Sequence, residues 1–572
     1  MFQQFYHGNK AKQTLWEALP LFTPVNKVSN YYPSLTAEGQ KARRRTKNQQ
    51  RCHCHSSGIV RLLKFTAQIN NGTSVMSENI PIQEIDPYII RAQEAFLRFK
   101  KLTLKERAAF MYLVADEIES LGTELIDAAQ SETSLGEGRL TGEKARTVNQ
   151  WRIYADALLN SNVLPVQIDT AIPGRTPPRP DIRKTYTGLG VVVVFGASNF
   201  PFAFSTAGGD TASAIAAGCS VIFKSHSGHP KTSAIMASAI GRAAAKAGLP
   251  NGIFAAIATD GATGGQYLVK HPLVKAVGFT GSLYGGRALF DLASQRPDPI
   301  PVFAEMGSVN PVFLLPGRLA ASAEEVATQY AGSLTLGVGQ FCTNPGIFVA
   351  PNTSDLPRFL DTLAAQISQI APSRMLHPGI AASYHKNKAD LLGQAGVDVL
   401  VAVNEDSPET HGNATVATVS AQRFLANPKL GEEVFGPFGL VVTYESPSEA
   451  LAIANQLEGQ LTTTVLAEPS ELGQHTELVA ALTEKCGRLL LNGFPTGVEV
   501  CGAMQHGGPY PASTDSRFTS VGPDAIKRFA RPISYQNWPD EMLPDELKNA
   551  NPLGIWRTVN GELNKGELPG AV

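Results

Sequence analysis

Between residues 89 and 133 apolar side chains recur at three- and four-residue spacing in IIRAQEAFLRFKKLTLKERAAFMYLVADEIESLGTELIDAAQSET, with one interruption near Leu102–Thr103. That period puts an apolar stripe on one face of each of two amphipathic helices. A third helical stretch covers roughly Thr141–Leu159. The Pro-rich IPGRTPPRPDIR that follows predicts an extended segment unable to sit inside a sheet.

Short β-branched runs then alternate with helical stretches: GVVVVFG, an Ala-rich stretch to Ala217, CSVIFK, a helix through Ala247, GIFAAIA, a short helix, AVGFTG, another helix and PVFAEM. Strands that are apolar at nearly every position and separated by crossover helices predict a parallel sheet covered on both faces. A second alternation follows Glu305, with PVFLL, a helix over about Ser322–Leu334, GIFVA, a helix to Ile370, GLVVTYE, a helix to Leu457, TTTVLAE and RLLLNG. The fold class expected is therefore α/β, with two doubly wound open-sheet units. From Gly508 the chain turns rich in Gly, Pro and Ser, and it ends in a polar segment.

The length, 572 residues, exceeds what one hydrophobic core serves, in keeping with two units. No apolar run is long enough for a membrane helix, so a membrane role is not expected. The net charge of −1 hides a basic head, since residues 1–75 carry eleven Lys or Arg against Glu17 and Glu38. The head has neither the apolar region of a secretory signal nor an amphipathic Arg/Ser period, and reads as a disordered extension; no nucleic-acid partner is expected. Six cysteines in so long a chain do not make a disulfide framework, which suits a cytoplasmic protein. CHCH at 52–55 lacks a second ligand pair at zinc-finger spacing, and no metal site is expected.

A Gly-x-Gly-x-x-Gly fingerprint after the first strand is missing. Instead GFTGSLYGG, residues 278–286, follows a strand and opens a helix, where backbone amides and a helix N-terminus can meet a phosphate. Cys342 in GQFCTNPG has glycines on both sides, which permit exposure and close backbone approach; as a lone cysteine it reads equally as a core residue. Catalysis on a thiol needs a separate base and an oxyanion donor. Glu305 in FAEMGSVNP and Asn199 in FGASNFPF each follow a strand, in the crevice where open α/β sheets bind ligands; taken singly they also fit an ion pair and a turn.

FGASNFPF, VIFKSHSGHP, FTGSLYGG, FAEMGSVNP, GQFCTNPG and EEVFGPF stand in an order and spacing that resemble the aldehyde dehydrogenase superfamily over about residues 85–540. The resemblance implies a dinucleotide-binding domain over 76–170 and 186–303, a catalytic domain over 304–515, oligomerisation and tail segments at 171–185 and 516–545, and a C-terminal tail at 546–572. It implies that Cys342 is the nucleophile and Glu305 the general base for thioester hydrolysis. Asn199 with the Cys342 N–H would form the oxyanion hole. Lys224 would meet the adenosine ribose, Gly281 and Ser282 the pyrophosphate, and Glu433 and Phe435 the nicotinamide ribose and ring of NADP or NAD. A half-buried Glu305 is expected to have a raised pKa. The expected partners are a small-molecule aldehyde and further copies of the chain, as a homodimer or homotetramer.

Two positions depart from the family pattern. Ser227 replaces the acidic residue usual three positions after the ribose lysine, which removes a carboxylate that would repel a 2′-phosphate. The late PFGG segment gives way to LNGFPTGVEVCGAMQHGGPYPASTDSRFTSVG. That tail resembles a subgroup holding 2-oxoglutarate semialdehyde (2,5-dioxovalerate) dehydrogenases and NADP-linked fatty aldehyde dehydrogenases. The former need cationic or amide donors for their acidic substrate, and Arg146 and Gln150, one turn apart, are the candidates, with surface pairing as the plain alternative. A non-catalytic binding or structural role on the same fold would not require Cys342, Glu305 and Asn199 together. Residues 1–75 have no counterpart in the resemblance, so both a true extension and translation from Met76 fit.

Overall fold

The computed structural model of the protein describes residues 79–568, apart from 161–162 and 404–406. The basic head, its CHCH cluster and Met76 lie outside the described residues. The periodic stretch expected to form two helices forms three: Asp86–Phe99, Leu104–Glu119 and Thr123–Thr133. Thr103 starts the second by closing a capping box with Glu106. The unforeseen break falls at Gly122, the extended N-cap of the third helix, where glycine's poor helix propensity outweighs the continuing apolar period. The next helix, Glu137–Asn160, begins a turn before the expected start and buries Leu140, Val148, Trp151 and Tyr154.

The first alternation folds into an all-parallel sheet ordered Phe254–Ile257, Ser220–Lys224, Val191–Phe195, Val274–Thr280, Val302–Glu305. The two-residue period of a strand sends Val192 and Val194 into one buried cluster and Val191, Val193 and Phe195 into another, so both faces of the sheet are cores. The sheet grows in one direction from Val191–Phe195 and then reverses to add Val274–Thr280. This reversal opens a crevice at the strands' carboxyl ends.

The second alternation gives a seven-stranded sheet ordered Asp398–Ala402, Thr415–Ser420, Phe438–Tyr444, Ile347–Pro351, Val312–Leu314, Gln460–Leu466, Cys486–Leu491. Only Asp398–Ala402 runs antiparallel to its neighbour. This strand lies at the sheet edge with no fully buried side chain, and the strand–helix alternation did not foresee it although it carries the apolar run VLVA.

A third sheet joins Ala530–Gln536, Ile182–Gly188, Gln167–Asp169, Arg557–Val559 and Glu562–Asn564. The Pro-rich segment is the loop between its strands Gln167–Asp169 and Ile182–Gly188, although the final residues of IPGRTPPRPDIR already belong to the second of these. The polar C-terminal tail, set apart in the sequence, supplies two strands here. Leu543, Leu547, Ile555 and Val559 bury against Val166 and Ile168. The guanidinium of Arg557, itself buried, donates to the carbonyls of Lys548 and Gly566.

Candidate active site

The carboxyl ends of the first sheet bring most of the candidates to one crevice. Asn199 follows the strand Val191–Phe195, Lys224 ends Ser220–Lys224, Gly281 and Ser282 follow Val274–Thr280, and Glu305 ends Val302–Glu305. The second sheet contributes Cys342, on a tight loop between the helix Pro316–Thr335 and the strand Ile347–Pro351. Gly337, Val338 and Gly339 all take positive φ there. A Cβ on Gly339 would come within 2.3 Å of the Gly436 backbone, so only glycine fits that crossing. The buried Asn310 pins the loop, its Nδ2 donating to the carbonyls of Cys342 at 2.9 Å and Asn344 at 3.0 Å. Asn199 Nδ2 donates to the Gln340 carbonyl at 3.1 Å, which places its amide beside the nucleophile loop.

Cys342 and Glu305 meet through a residue the motif reading did not single out. His506 Nε2 lies 2.9 Å from Glu305 Oε1 and 3.5 Å from Cys342 Sγ. The other oxygen of Glu305 accepts from Ser520 Oγ at 2.5 Å, and the His506 backbone N–H donates to Thr519 Oγ1. Burial drives the Cys342 thiol well above its ordinary pKa and the Glu305 charge adds to this, while Arg146 opposes it. Glu305 departs from expectation. Burial alone would raise its carboxyl, but the charge and hydrogen bond of His506, the Ser520 hydroxyl and Arg528 outweigh burial and hold it below the ordinary carboxylate range.

Next to Cys342 opens a cavity of about 390 Å³ lined by Arg139, Glu143, Arg146, Phe200, Phe204, Phe341 and Val498, among others. The helix Glu137–Asn160 presents the three charged side chains. Arg139 is neutralised by Glu143 at 2.5 Å, and Glu143 also accepts from the Phe202 and Ala203 N–H groups. Arg146 has no carboxylate within ion-pair range among the described residues, lies 5.2 Å over the Phe204 ring, and keeps a buried Nη1 without a hydrogen-bond partner. Gln150, expected beside it, does not line the cavity. It is packed against Gly209, and neither its side-chain nitrogen nor its oxygen has a partner.

The residues expected to hold a dinucleotide fall in two groups, Lys224, Gly281 and Ser282 at the carboxyl ends of first-sheet strands and Glu433 and Phe435 in a loop before a second-sheet strand. Ser282 N-caps the helix Leu283–Ser294, its Oγ accepting from Gly285 N–H, so Gly281 and the first-turn amides present an anion site. Lys224 is half-buried, with a pKa lowered by burial and partly restored by Asp260; Ser227 is exposed three residues on. Glu433 and Phe435 sit in the loop before the strand Phe438–Tyr444 and share a small cavity with Ser308 and Val309. Gly307 admits the Glu433 carboxylate, because a Cβ there would meet its Oε2 at 2.5 Å. Desolvation pushes the Glu433 carboxyl up to about 7, a half-buried hydrogen-bond acceptor of the kind a ribose diol satisfies.

His506 and Ser520 escaped the motif reading because each works through partners far away in the chain, while Asn310 stood inside FAEMGSVNP without being singled out. His506 is 201 residues from Glu305 and 164 from Cys342. The available signal was the departure itself, since His506 lies in the segment that replaces the usual late motif.

Residues 71–530 match the family described as "Aldehyde dehydrogenase family". The chain is 48% identical over 473 residues to the "Alpha-ketoglutaric semialdehyde dehydrogenase 2" of Azospirillum brasilense, covering 82% of this chain and 90% of that one. It is 45% identical over 497 residues to the "Alpha-ketoglutaric semialdehyde dehydrogenase" of Acinetobacter baylyi, covering 86% and 94%. Among solved structures, an NAD-dependent aldehyde dehydrogenase from Sinorhizobium meliloti superposes with a TM-score of 0.67 at 21% identity, over 81% of this chain and 88% of that one. At that identity the likeness is one of fold.

Proposed function

Because the chain belongs to the aldehyde dehydrogenase family, we propose that it oxidises 2-oxoglutarate semialdehyde to 2-oxoglutarate with NADP or NAD, through a thioester on Cys342. The observation that carries the substrate is Arg146, a half-buried guanidinium with no ion-pair partner among the described residues, in the cavity beside the nucleophile. A free cation in an enclosed site is costly unless it meets an anion. The distal carboxylate of the dioxo acid is such an anion, and the two relatives named above carry that substrate in their names.

The bound nicotinamide supplies the hydride acceptor; the chain's own residues do the rest. Cys342 adds to the aldehyde carbon as thiolate. A proton on His506 Nε2 stands between that thiolate and Glu305, so it offsets the repulsion that Glu305 would otherwise exert on the sulfur. Asn199 uses one amide proton on Gln340 and has a second for the developing oxyanion. Water then attacks the thioester, and its proton passes to the Glu305–His506 pair. Ser227 in place of a carboxylate leaves room for a 2′-phosphate, which makes NADP acceptable alongside NAD.

A second reading is NADP-linked oxidation of a long-chain fatty aldehyde, favoured by Phe200, Phe204, Phe341 and Val498 in the same cavity. Initial rates with the dioxo acid and with hexanal separate the two readings. The first requires a higher kcat/KM for the dioxo acid, and preference for hexanal would overturn it.

Cytoplasmic placement and assembly as a homodimer or homotetramer belong to the same proposal. Among the described residues no helix is long and apolar enough to cross a membrane. Exposed Leu489 and Leu491 on the edge strand Cys486–Leu491, with Trp538 and Leu563 on or beside the third sheet, are apolar surface that a second copy would cover. Sedimentation showing only monomer at micromolar concentration would refute the assembly.

A further inference from the structure

We propose that the Cys342, His506 and Glu305 side chains form a zinc-binding site, and that Zn²⁺ bound there holds the enzyme reversibly inactive. Their ligand atoms all lie within 4.8 Å of one another, and this is the only such trio among the described residues. A tetrahedral ion with bonds of about 2.3 Å to sulfur and about 2.0 Å to nitrogen spans an S···N edge of about 3.5 Å. Sγ and Nε2 lie 3.5 Å apart. The N···O edge for two bonds of about 2.0 Å is about 3.3 Å, against 2.9 Å between Nε2 and Glu305 Oε1. On that edge the carboxylate has to retreat by about 0.4 Å, and the third edge, from Sγ to the carboxylate, lies within 4.8 Å against about 3.5 Å around a tetrahedral ion.

The donor set selects the ion. A thiolate, an imidazole and one carboxylate oxygen suit Zn²⁺ and discriminate against Mg²⁺ and Ca²⁺, which require oxygen ligands. Outer contacts that orient ligands are already in place. Ser520 holds the second oxygen of Glu305, and Thr519 holds the His506 backbone. Cys342 lines the cavity, so water can complete the coordination. On binding, the thiol S–H bond breaks and an S–Zn bond forms; the proton leaves to the buffer. His506 coordinates through the Nε2 lone pair with its remaining proton on Nδ1. The sulfur lone pair that attacks the aldehyde is then committed to the metal. Without His506 the cluster would offer only two ligands, so this site depends on the segment that departs from the family pattern.

The test is a ZnCl₂ titration by calorimetry of the full chain carrying Cys52→Ser and Cys54→Ser, which removes the thiols of the head. One Zn²⁺ per chain is expected, with aldehyde oxidation abolished and then restored by a chelator. His506→Asn should weaken binding by more than the roughly 10–100-fold that loss of an outer-shell partner costs. Cys342→Ser should abolish it. Co²⁺ in the otherwise intact protein should give a thiolate-to-cobalt charge-transfer band that Cys342→Ser lacks; this readout stands even where the histidine variant does not fold. No Zn²⁺ uptake at micromolar concentration, or uptake unchanged by Cys342→Ser, overturns the proposal. Because metal binding is read directly, the result is independent of which aldehyde the enzyme prefers.

Discussion

His506 Nε2 lies 2.9 Å from Glu305 Oε1, and the two residues keep only 1% and 4% of their surface exposed. The same Nε2 lies 3.5 Å from the Cys342 sulfur, so one ring nitrogen faces both the carboxylate and the thiol. His506→Asn, whose shorter amide cannot reach the Nε2 position, is therefore expected to lower kcat/KM by about 10²–10⁴, the range for losing a positioned acid–base group. The rate should also recover toward alkaline pH, because the Cys342 thiol, already pushed up by burial and by Glu305, would have lost its nearest proton partner. A pH–rate profile checks this, and a profile parallel to wild type would move the proton path elsewhere.

Glu305→Gln should separate the two halves of the reaction. The amide keeps the volume and can still bond to Ser520, but it accepts no proton from water. The expected result is a burst of reduced cofactor close to one per active site, followed by a steady rate lower by roughly two to four orders of magnitude. Rapid-mixing absorbance shows both phases. Loss of the burst itself would place Glu305 in activation of the thiol.

Ser227→Glu would restore a carboxylate three residues after Lys224, on an exposed position of the crevice. Repulsion of a 2′-phosphate should weaken NADP by about tenfold or more, equivalent to ~1.4 kcal/mol, with NAD little changed. Fluorescence titration of both cofactors is sufficient, and equal losses would locate the phosphate elsewhere.

Glu433 gives a pH signature. Burial raises its carboxyl from the ordinary 4.5 to about 7, so in the free protein it favours folding in its protonated form. That contribution is complete below the unfolded pKa and disappears as pH rises through about 7. In the proposed binding mode a ribose diol would donate to the carboxylate, so cofactor binding would select the deprotonated form. Affinity should climb about tenfold per pH unit below pH 7 and level off above it, with a proton released on binding. Calorimetry in buffers of different ionisation enthalpy measures the release, and Glu433→Gln should abolish it.

The sheets of both α/β units were legible because parallel strands buried on two faces leave unbroken apolar runs such as VVVVF. Two strands of the second sheet were not: Asp398–Ala402, although it carries the apolar run VLVA, because its antiparallel edge position falls outside the strand–helix alternation, and Thr415–Ser420, whose threonines interrupt its apolar positions. Cys342, Glu305 and Asn199 were legible by motif, and the fold does gather them. His506 was not, because its role comes from tertiary proximity to Glu305 and its local sequence is a Gly-rich loop. Gln150 shows the converse error. Sharing a helix face with Arg146 by spacing did not carry it to the cavity, because one turn further along the same helix packs against Gly209.

The proposed substrate turns on Arg146. Its neighbour Arg139 is already paired with Glu143, so Arg146 is the cation in the cavity wall with a buried N–H still to satisfy. Its planar fork matches a carboxylate with two parallel donors. Arg146→Ala is expected to raise KM for 2-oxoglutarate semialdehyde by the ~1.5–3 kcal/mol of a charged hydrogen bond, about 10- to 150-fold. Simple alkyl aldehydes make no such bond and should keep their kcat/KM within a small factor. Arg146→Lys should recover only part of the loss, because an ammonium supplies charge without the fork. Steady-state kinetics on both substrates with the two variants resolve the matter: an unchanged KM for the dioxo acid would leave the Phe-lined wall as the determinant and transfer the assignment to the fatty aldehyde reading.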